Sequence, residues 1–235
     1  MSKRKKHIAV LTGAGVSAES GLLTFRDSGG LWEGYDVMQV ASIEGWYENK
    51  ALVLDFYNMR RKQAATAQPN DGHYAFAELE KAYEVDVITQ NVDDLHEKAG
   101  STRVLHLHGK LREVRSSVDS SLVFDIEDKQ IQLGDKCPKG SQLRPNIVWF
   151  GEMVPNIEPA SKIISKADIV IIAGTSLVVY PAAGLLHYAR RDAEIYLIDP
   201  VIPDTVIGNP RIQCIQEKSG TGMKKLAEKL LKEAE

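Results

Sequence analysis

The residues in this chain best suited to chemistry sit just beyond short apolar runs. The run HIAVL leads into Gly13-Ala14-Gly15-Val16-Ser17-Ala18, a GxGxxA pattern. Glycines in such a turn let backbone N–H groups approach a phosphate closely, at the start of a helix. A dehydrogenase loop would continue into a full helix and a second strand ending in an acidic residue about twenty positions later. Here Gly21 cuts the helix short, and Thr24-Phe25-Arg26-Asp27-Ser28-Gly29-Gly30 reads as a loop. A dinucleotide would therefore be bound in another way, beneath a mobile loop. His106 and His108 lie two apart, on one side of a strand. An imidazole titrating near neutrality can act as a base, although a lone strand-end histidine is more often structural. Asn91 and Asp93 follow the run VDVIT, where such residues commonly serve as turn or cap residues. Tyr57 and Arg60, three apart in FYNMRR, project from one helix face and read most simply as a solvated surface pair.

These residues need a scaffold, and the apolar runs supply one. HIAVL, VDVIT, RVLHL, NIVWF, DIVIIAG, EIYLID and RIQCI recur between helical or turn-rich stretches. Continuous β-branched runs of this length are the pattern of a parallel sheet covered on both faces. Helices are expected over Tyr47 to Ala67, over His73 to Ala82 and from Gly222 to the C-terminus. The fold class is α/β, a doubly wound, Rossmann-like parallel sheet. Gly34 to Asn70 is helical and lacks a strand, while Lys110 to Pro145 is polar and irregular. Both are expected to be insertions that build a small second lobe. The large domain would then hold about 1–33, 71–109 and 146–235, and the lobe about 34–70 and 110–145.

Composition narrows the function classes. With 29 Lys+Arg against 32 Asp+Glu, the net charge of -3 offers no basic surface for nucleic acid. The only cysteines, Cys137 and Cys214, exclude a disulfide framework and suit a reducing cytoplasm. The start, MSKRKKHIAVLTGAGVSA, mimics a signal peptide, but its uninterrupted apolar run is only Ile8 to Leu11. Ile169 to Leu186 has no charged residue, yet Gly174, Pro181 and Gly184 make it a strand, a turn and a helix start rather than a membrane span.

Two long motifs carry a resemblance. GAGVSAESGLLTFRDSGGLW closely resembles the cofactor loop of sirtuins, and TQNVDDLHEKAG, Thr89 to Gly100, resembles their second hallmark. LHLHG, LRPNIVWFGE and GTSLVVYPA come after them in family order, so the resemblance spans about Ile8 to Leu226. It implies an NAD-dependent enzyme that removes acyl groups from protein lysines. The nicotinamide–ribose bond would be cleaved as the acyl carbonyl oxygen traps the sugar carbon. Carried over residue by residue, it makes His108 the general base and Asn91 its catalytic companion on the ribose. Gln90 also contacts ribose, and Asp93 contacts the nicotinamide carboxamide. Phe25 and Arg26 cover the cofactor, while Gly13, Ala14, Gly15, Ser17, Gly174, Thr175 and Ser176 line its path. Asp199, where the family often has asparagine, and Ser219 fall on the adenosine side. Val148, Trp149 and Phe150 would sheathe the lysine stem, with the backbone at Gly151 and Glu152 pairing to the substrate peptide as an added strand.

Most sirtuins also carry two cysteine pairs on the small lobe. This chain has Cys137 alone there, with Ser116 at the first cysteine position, so no metal is expected. The alternation in LVFDIEDKQIQL, ending at Leu133, suggests instead a hairpin or strand pair that holds the lobe by packing. Tyr57-x-x-Arg60 resembles the subgroup that prefers succinyl, malonyl and glutaryl lysine, since arginine can bind a carboxylate through two parallel hydrogen bonds. A desuccinylase and demalonylase with residual deacetylase activity is therefore the expectation. A plain deacetylase, a protein ADP-ribosyltransferase and a non-enzymatic NAD sensor are the alternatives; His108, Asn91 and Asp93 together argue against the sensor. The partners expected are acylated-lysine proteins, with no nucleic acid and no membrane, for a monomeric cytoplasmic enzyme.

Overall fold

The computed structural model describes residues 4–22, 31–32, 34–177, 180–204 and 206–234. The first elements are β1 (His7–Thr12), α1 (Ala14–Ala18), β2 (Leu31–Trp32), β3 (Tyr35–Asp36), α2 (Val37–Val40), α3 (Ile43–Glu48) and α4 (Lys50–Thr66). The middle of the chain forms α5 (Asp71–Leu79), β4 (Glu84–Thr89), α6 (Leu95–Lys98), β5 (Val104–His106), β6 (Gly109–Ser116), β7 (Val123–Asp125) and β8 (Leu143–Ile147). After it come α7 (Ile157–Ile164), β9 (Ile169–Ala173), a 3-10 turn over Ala182–Tyr188, β10 (Glu194–Ile198), β11 (Ile212–Ile215) and α8 (Ser219–Ala234).

Six of the seven apolar runs pair, all in parallel, in the order β11-β10-β9-β1-β4-β5. The chain builds outward from β1 to β5, then returns to β9 and builds outward the other way. The order therefore reverses between β1 and β9, where an open sheet leaves a crevice beyond its carboxyl ends. Strand β1 is buried at all six positions because alternate residues serve opposite faces. Ile8 and Val10 pack with Phe76, Leu79, Met223 and Leu226 of α5 and α8. Ala9 and Leu11 pack with Ile164 and Leu185 on the other side. Among the described residues no helix is long and apolar enough to cross a membrane, and Ile169 to Leu186 divides into β9 and the 3-10 turn.

The seventh run departs from expectation. NIVWF does not enter the parallel sheet; β8 lies antiparallel to β6 at the edge of a separate sheet ordered β7-β6-β8. Pro145, inside β8, has no N–H to give a central ladder, and an edge strand tolerates that loss. Three further expectations need correction. The Gly34 to Asn70 segment does contain a strand, β3, which pairs with β2 around a turn where Gly34 has φ 84°. The helix expected from Tyr47 is two helices, broken at Asn49, whose side chain accepts the Leu52 N–H to start α4. LVFDIEDKQIQL forms only β7, because the Asp125 carboxylate accepts the Glu127 N–H and Glu127 turns at φ 56°. The stretch around Ile131 is instead tied down by one side chain: Asn58 donates to the Ile131 carbonyl and accepts the Ile131 N–H, at 2.8 and 3.1 Å. The two insertions share a core in which Phe56 and Tyr57 of α4 meet Leu111 and Val114, and Ile147 and Trp149, just past the second insertion, pack into it.

Candidate functional site

A cavity of about 570 Å³ opens at the reversal point between the sheet and the small lobe, within the range of ordinary ligand sites. Its floor is two loops in contact. Gly13 N–H donates to the Ala173 carbonyl at 3.1 Å, and Gly15 N–H to the Gly174 carbonyl at 2.9 Å. A Cβ on Gly15 would fall 2.7 Å from Gly174 Cα, and one on Gly174, where φ is 62°, would fall 2.3 Å from Val16 N. The glycine pattern is thus demanded by loop-on-loop contact as much as by any phosphate. Asn70 secures the same loop, donating to Val16 O at 2.8 Å and Ser20 Oγ at 2.9 Å. The sequence motifs do not single out Asn70; its capping role at α5 is the one local signal it carries.

Beyond β4 the polar residues form a connected set. Gln90 donates through Nε2 to Thr175 Oγ1 at 3.1 Å. Asn91 donates through Nδ2 to Ser17 Oγ, and Ser17 donates to Asp93 Oδ2, each at 3.0 Å. Ser17 is therefore the link that orients Asn91 and Asp93. Burial raises the Asp93 pKa, opposed by the Leu95 N–H and the Ser17 hydroxyl. His108 Nδ1 lies 3.1 Å from the Gln90 carbonyl, which can only accept. The proton is thereby placed on Nδ1 and the lone pair on Nε2. Burial also lowers the His108 pKa, against the raising effect of that carbonyl, so the ring stays neutral. His106, the competing base, is buried and engaged at both nitrogens, by the Asn91 carbonyl at 3.0 Å and Glu97 at 2.9 Å. It braces the Asn91 loop from behind.

Ala14, Ser176, Asp199 and Ser219 also line the cavity, whereas Phe25 and Arg26 lie outside the described residues. Asp199 Oδ1 accepts the Val201 N–H at 2.9 Å. Ser219 Oγ is buried and has no partner among the described residues, an orphan that a bound nucleoside would satisfy. With the hydroxyls and amides above, this donor and acceptor set fits a dinucleotide.

At the other end, the surface-pair reading of Tyr57 and Arg60 is overturned: they are 1% and 5% exposed and line the same cavity as His108. Burial holds the Tyr57 pKa well above its ordinary value, so the side chain stays a phenol. Its oxygen accepts Trp149 Nε1–H at 2.9 Å, and the phenol proton has no acceptor among the described residues. The Arg60 guanidinium lies 5.0 Å from the Trp32 ring centre and donates to Gln63 at 3.2 Å. Val148, Phe150 and Gly151 line the wall between. Glu152 also lines the cavity. Its N–H donates to the Trp149 carbonyl at 3.0 Å, and its carboxylate accepts from Arg144, Arg115 and the Trp149 N–H. The Glu152 N–H thus closes a turn with Trp149. In the region where metal cysteines would lie, Cys137 Sγ is 3.3 Å from Ser116 Oγ and 3.1 Å from Ser141 Oγ. Among the described residues no three His, Cys, Asp or Glu side chains gather as a metal site.

The pattern of the Sir2 family matches residues 13–181. A Helicobacter pylori protein named NAD-dependent protein deacylase is 53% identical over 229 residues, 97% of this chain and 99% of that one. A Bacteroides thetaiotaomicron protein of the same name is 53% identical over 231 residues, 96% of this chain and 98% of that one. A solved complex of a Sir2 homologue with NAD superposes with a TM-score of 0.88 at 40% identity, covering 98% of this chain and 91% of that one.

Proposed function

Because the chain belongs to the Sir2 family, we propose that it is an NAD-dependent protein-lysine deacylase that prefers acyl groups ending in a carboxylate, succinyl and malonyl ahead of acetyl. The coarser activity rests on relatives that are half identical over nearly the whole chain and are named for it. The acyl preference rests on one observation: Tyr57 and Arg60 are buried side by side in the wall of the cavity that contains His108.

When bound, NAD supplies a ribose carbon that exchanges nicotinamide for the acyl oxygen. The chain's own residues position and protect that exchange. Asp199 and Ser219 would hold the adenosine end, and the Gly13–Gly15 turn with Thr175 and Ser176 the pyrophosphate. Gln90 and Asn91 would hold the ribose, and Asp93 the carboxamide. The Ser17 hydroxyl keeps Asn91 and Asp93 in register, as a preorganised site requires. His108 Nε2, kept unprotonated by burial, takes a proton from a ribose hydroxyl. The lysine stem would pass between Val148 and Phe150. At the acyl end the Arg60 guanidinium offers a charged, forked donor and Tyr57 a phenol proton, both matched to a carboxylate and of no use to a methyl group.

The experiment is kcat/KM with NAD on matched succinyl and acetyl peptides, with products identified by mass spectrometry. Succinyl preference with acyl-ADP-ribose as product is expected. Acetyl preference overturns the acyl reading, and a target peptide gaining the mass of ADP-ribose overturns deacylation.

A further inference from the structure

We propose that Arg144, a residue outside the cavity wall, sets the acyl preference by clamping the indole of Trp149 so that Tyr57 must present its proton to the acyl group; the selectivity part rests on the acyl reading above. Trp149 is 2% exposed and is gripped on several sides. Its backbone N–H donates to Glu152 Oε2 at 2.9 Å, and its ring packs 5.5 Å from Trp46. The Arg144 guanidinium lies 3.4 Å from the centre of the Trp149 ring. The same guanidinium donates NH1 to Glu152 Oε1 at 2.7 Å and NH2 to Glu152 Oε2 at 2.9 Å, and NH2 also to the Ile147 carbonyl at 3.0 Å. Arg115 adds a fourth donor to Glu152 at 3.0 Å.

A planar cation that forks onto a carboxylate with one edge and lies on an aromatic ring with its face has its orientation set twice. The ring it covers is set with it. The direction of the Trp149 indole N–H is fixed in turn, and that N–H occupies the lone-pair side of the Tyr57 hydroxyl at 2.9 Å. With its oxygen already accepting from Trp149, Tyr57 is left with its proton to offer a further partner. A succinyl carboxylate needs such a donor, whereas an acetyl group has nothing to accept it. Arg144 itself does not line the cavity, so it acts through Trp149 and Tyr57 as a positioning residue.

The test is Arg144→Lys, which keeps the charge opposite Glu152 but can neither fork nor lie flat. The KM for succinyl peptide should rise about tenfold, the scale of a stacked cation and one hydrogen bond lost together. The kcat should stay within about twofold, and kcat/KM for acetyl peptide should fall clearly less than that for succinyl peptide, since acetyl peptide shares the Trp149 wall but not the Tyr57 proton. Hydrogen exchange at the Trp149 indole N–H, monitored by NMR, should accelerate. Glu152→Gln removes the charge that holds Arg144 and should lower the succinyl-to-acetyl ratio in the same direction, which keeps the test open if Arg144→Lys fails to fold. Equal losses on both peptides, or an unchanged succinyl KM, overturn the selectivity role. Unchanged indole exchange in Arg144→Lys overturns the clamp itself. A wild type that does not prefer succinyl overturns the acyl reading instead, and the indole exchange still decides the clamp.

Discussion

Acid should loosen this protein through one histidine beneath the site. His73 occupies the third position of α5, where its Nδ1 accepts the Asn70 N–H at 3.3 Å while the Asn70 side chain accepts the Gly72 N–H at 2.9 Å. This is a reciprocal cap with histidine in the place usually taken by glutamate or glutamine. The ring is fully buried, its Nε2 has no partner among the described residues, and the His96 ring stands 4.9 Å away. Burial lowers the His73 pKa from 6.5 to about 4. Protonation would destroy the Nδ1 acceptor and leave a buried charge beside a second buried histidine. The unfolded chain binds this proton near pH 6.5 and the folded chain only near pH 4, so the contribution is complete above 6.5 and is lost as pH falls toward 4. Between pH 7.5 and pH 5 the loss is about 2 kcal/mol, at about 1.4 kcal/mol for each tenfold difference in proton affinity. His73→Gln keeps an acceptor at the capping position but does not titrate. Urea unfolding of wild type and His73→Gln at both pH values isolates the effect, because every other titrating group is shared. Wild type should lose about 2 kcal/mol more than the variant on acidification, a shift in the urea midpoint of about 1 M. Curves that shift in parallel would refute the reasoning.

His108→Ala should cut kcat by about 10²–10⁴-fold while NAD binding, measured by calorimetry, survives; near-normal turnover would remove His108 as the base. Because burial lowers the His108 pKa, the acid limb of kcat/KM should fall below pH 6.5, with activity lost as pH drops through that lowered pKa and the imidazole gains its proton. Arg60→Met should cost about 2–5 kcal/mol in kcat/KM on succinyl peptide and leave acetyl peptide equal or better, the scale of one partner removed from a buried charged pair; equal losses would return the plain deacetylase. Purified protein should carry no stoichiometric zinc and keep its activity in a strong chelator, since Cys137 has serine hydroxyls for neighbours; one zinc per chain by metal analysis would contradict this.

Local pattern carried much of this protein's organisation. The strands of the large sheet were legible because each is buried on both faces and must be apolar without interruption. Gly13, Gly15, Asn91 and His108 could be placed at the carboxyl ends of those strands from spacing alone, and the motif resemblance assigned their chemistry. What the chain could not disclose locally depended on who meets whom. NIVWF has the composition of a core strand, and its antiparallel place beside β6 comes from a long-range pairing, Ile147 with Gly109, at an edge that tolerates the neighbouring Pro145. Tyr57 and Arg60 have the spacing of a surface pair, and their burial arises only when two insertions far apart in sequence close around Trp32 and Trp149. Ser17, Asp93 and Asn91 are ordinary polar residues until the folded sheet brings the end of β4 onto α1 and makes the serine a bridge. Periodicity is written into a segment because it reports which side of that segment is buried. A hydrogen-bond partner or a counter-charge belongs to a pair of segments, and the folded chain alone chooses the pair.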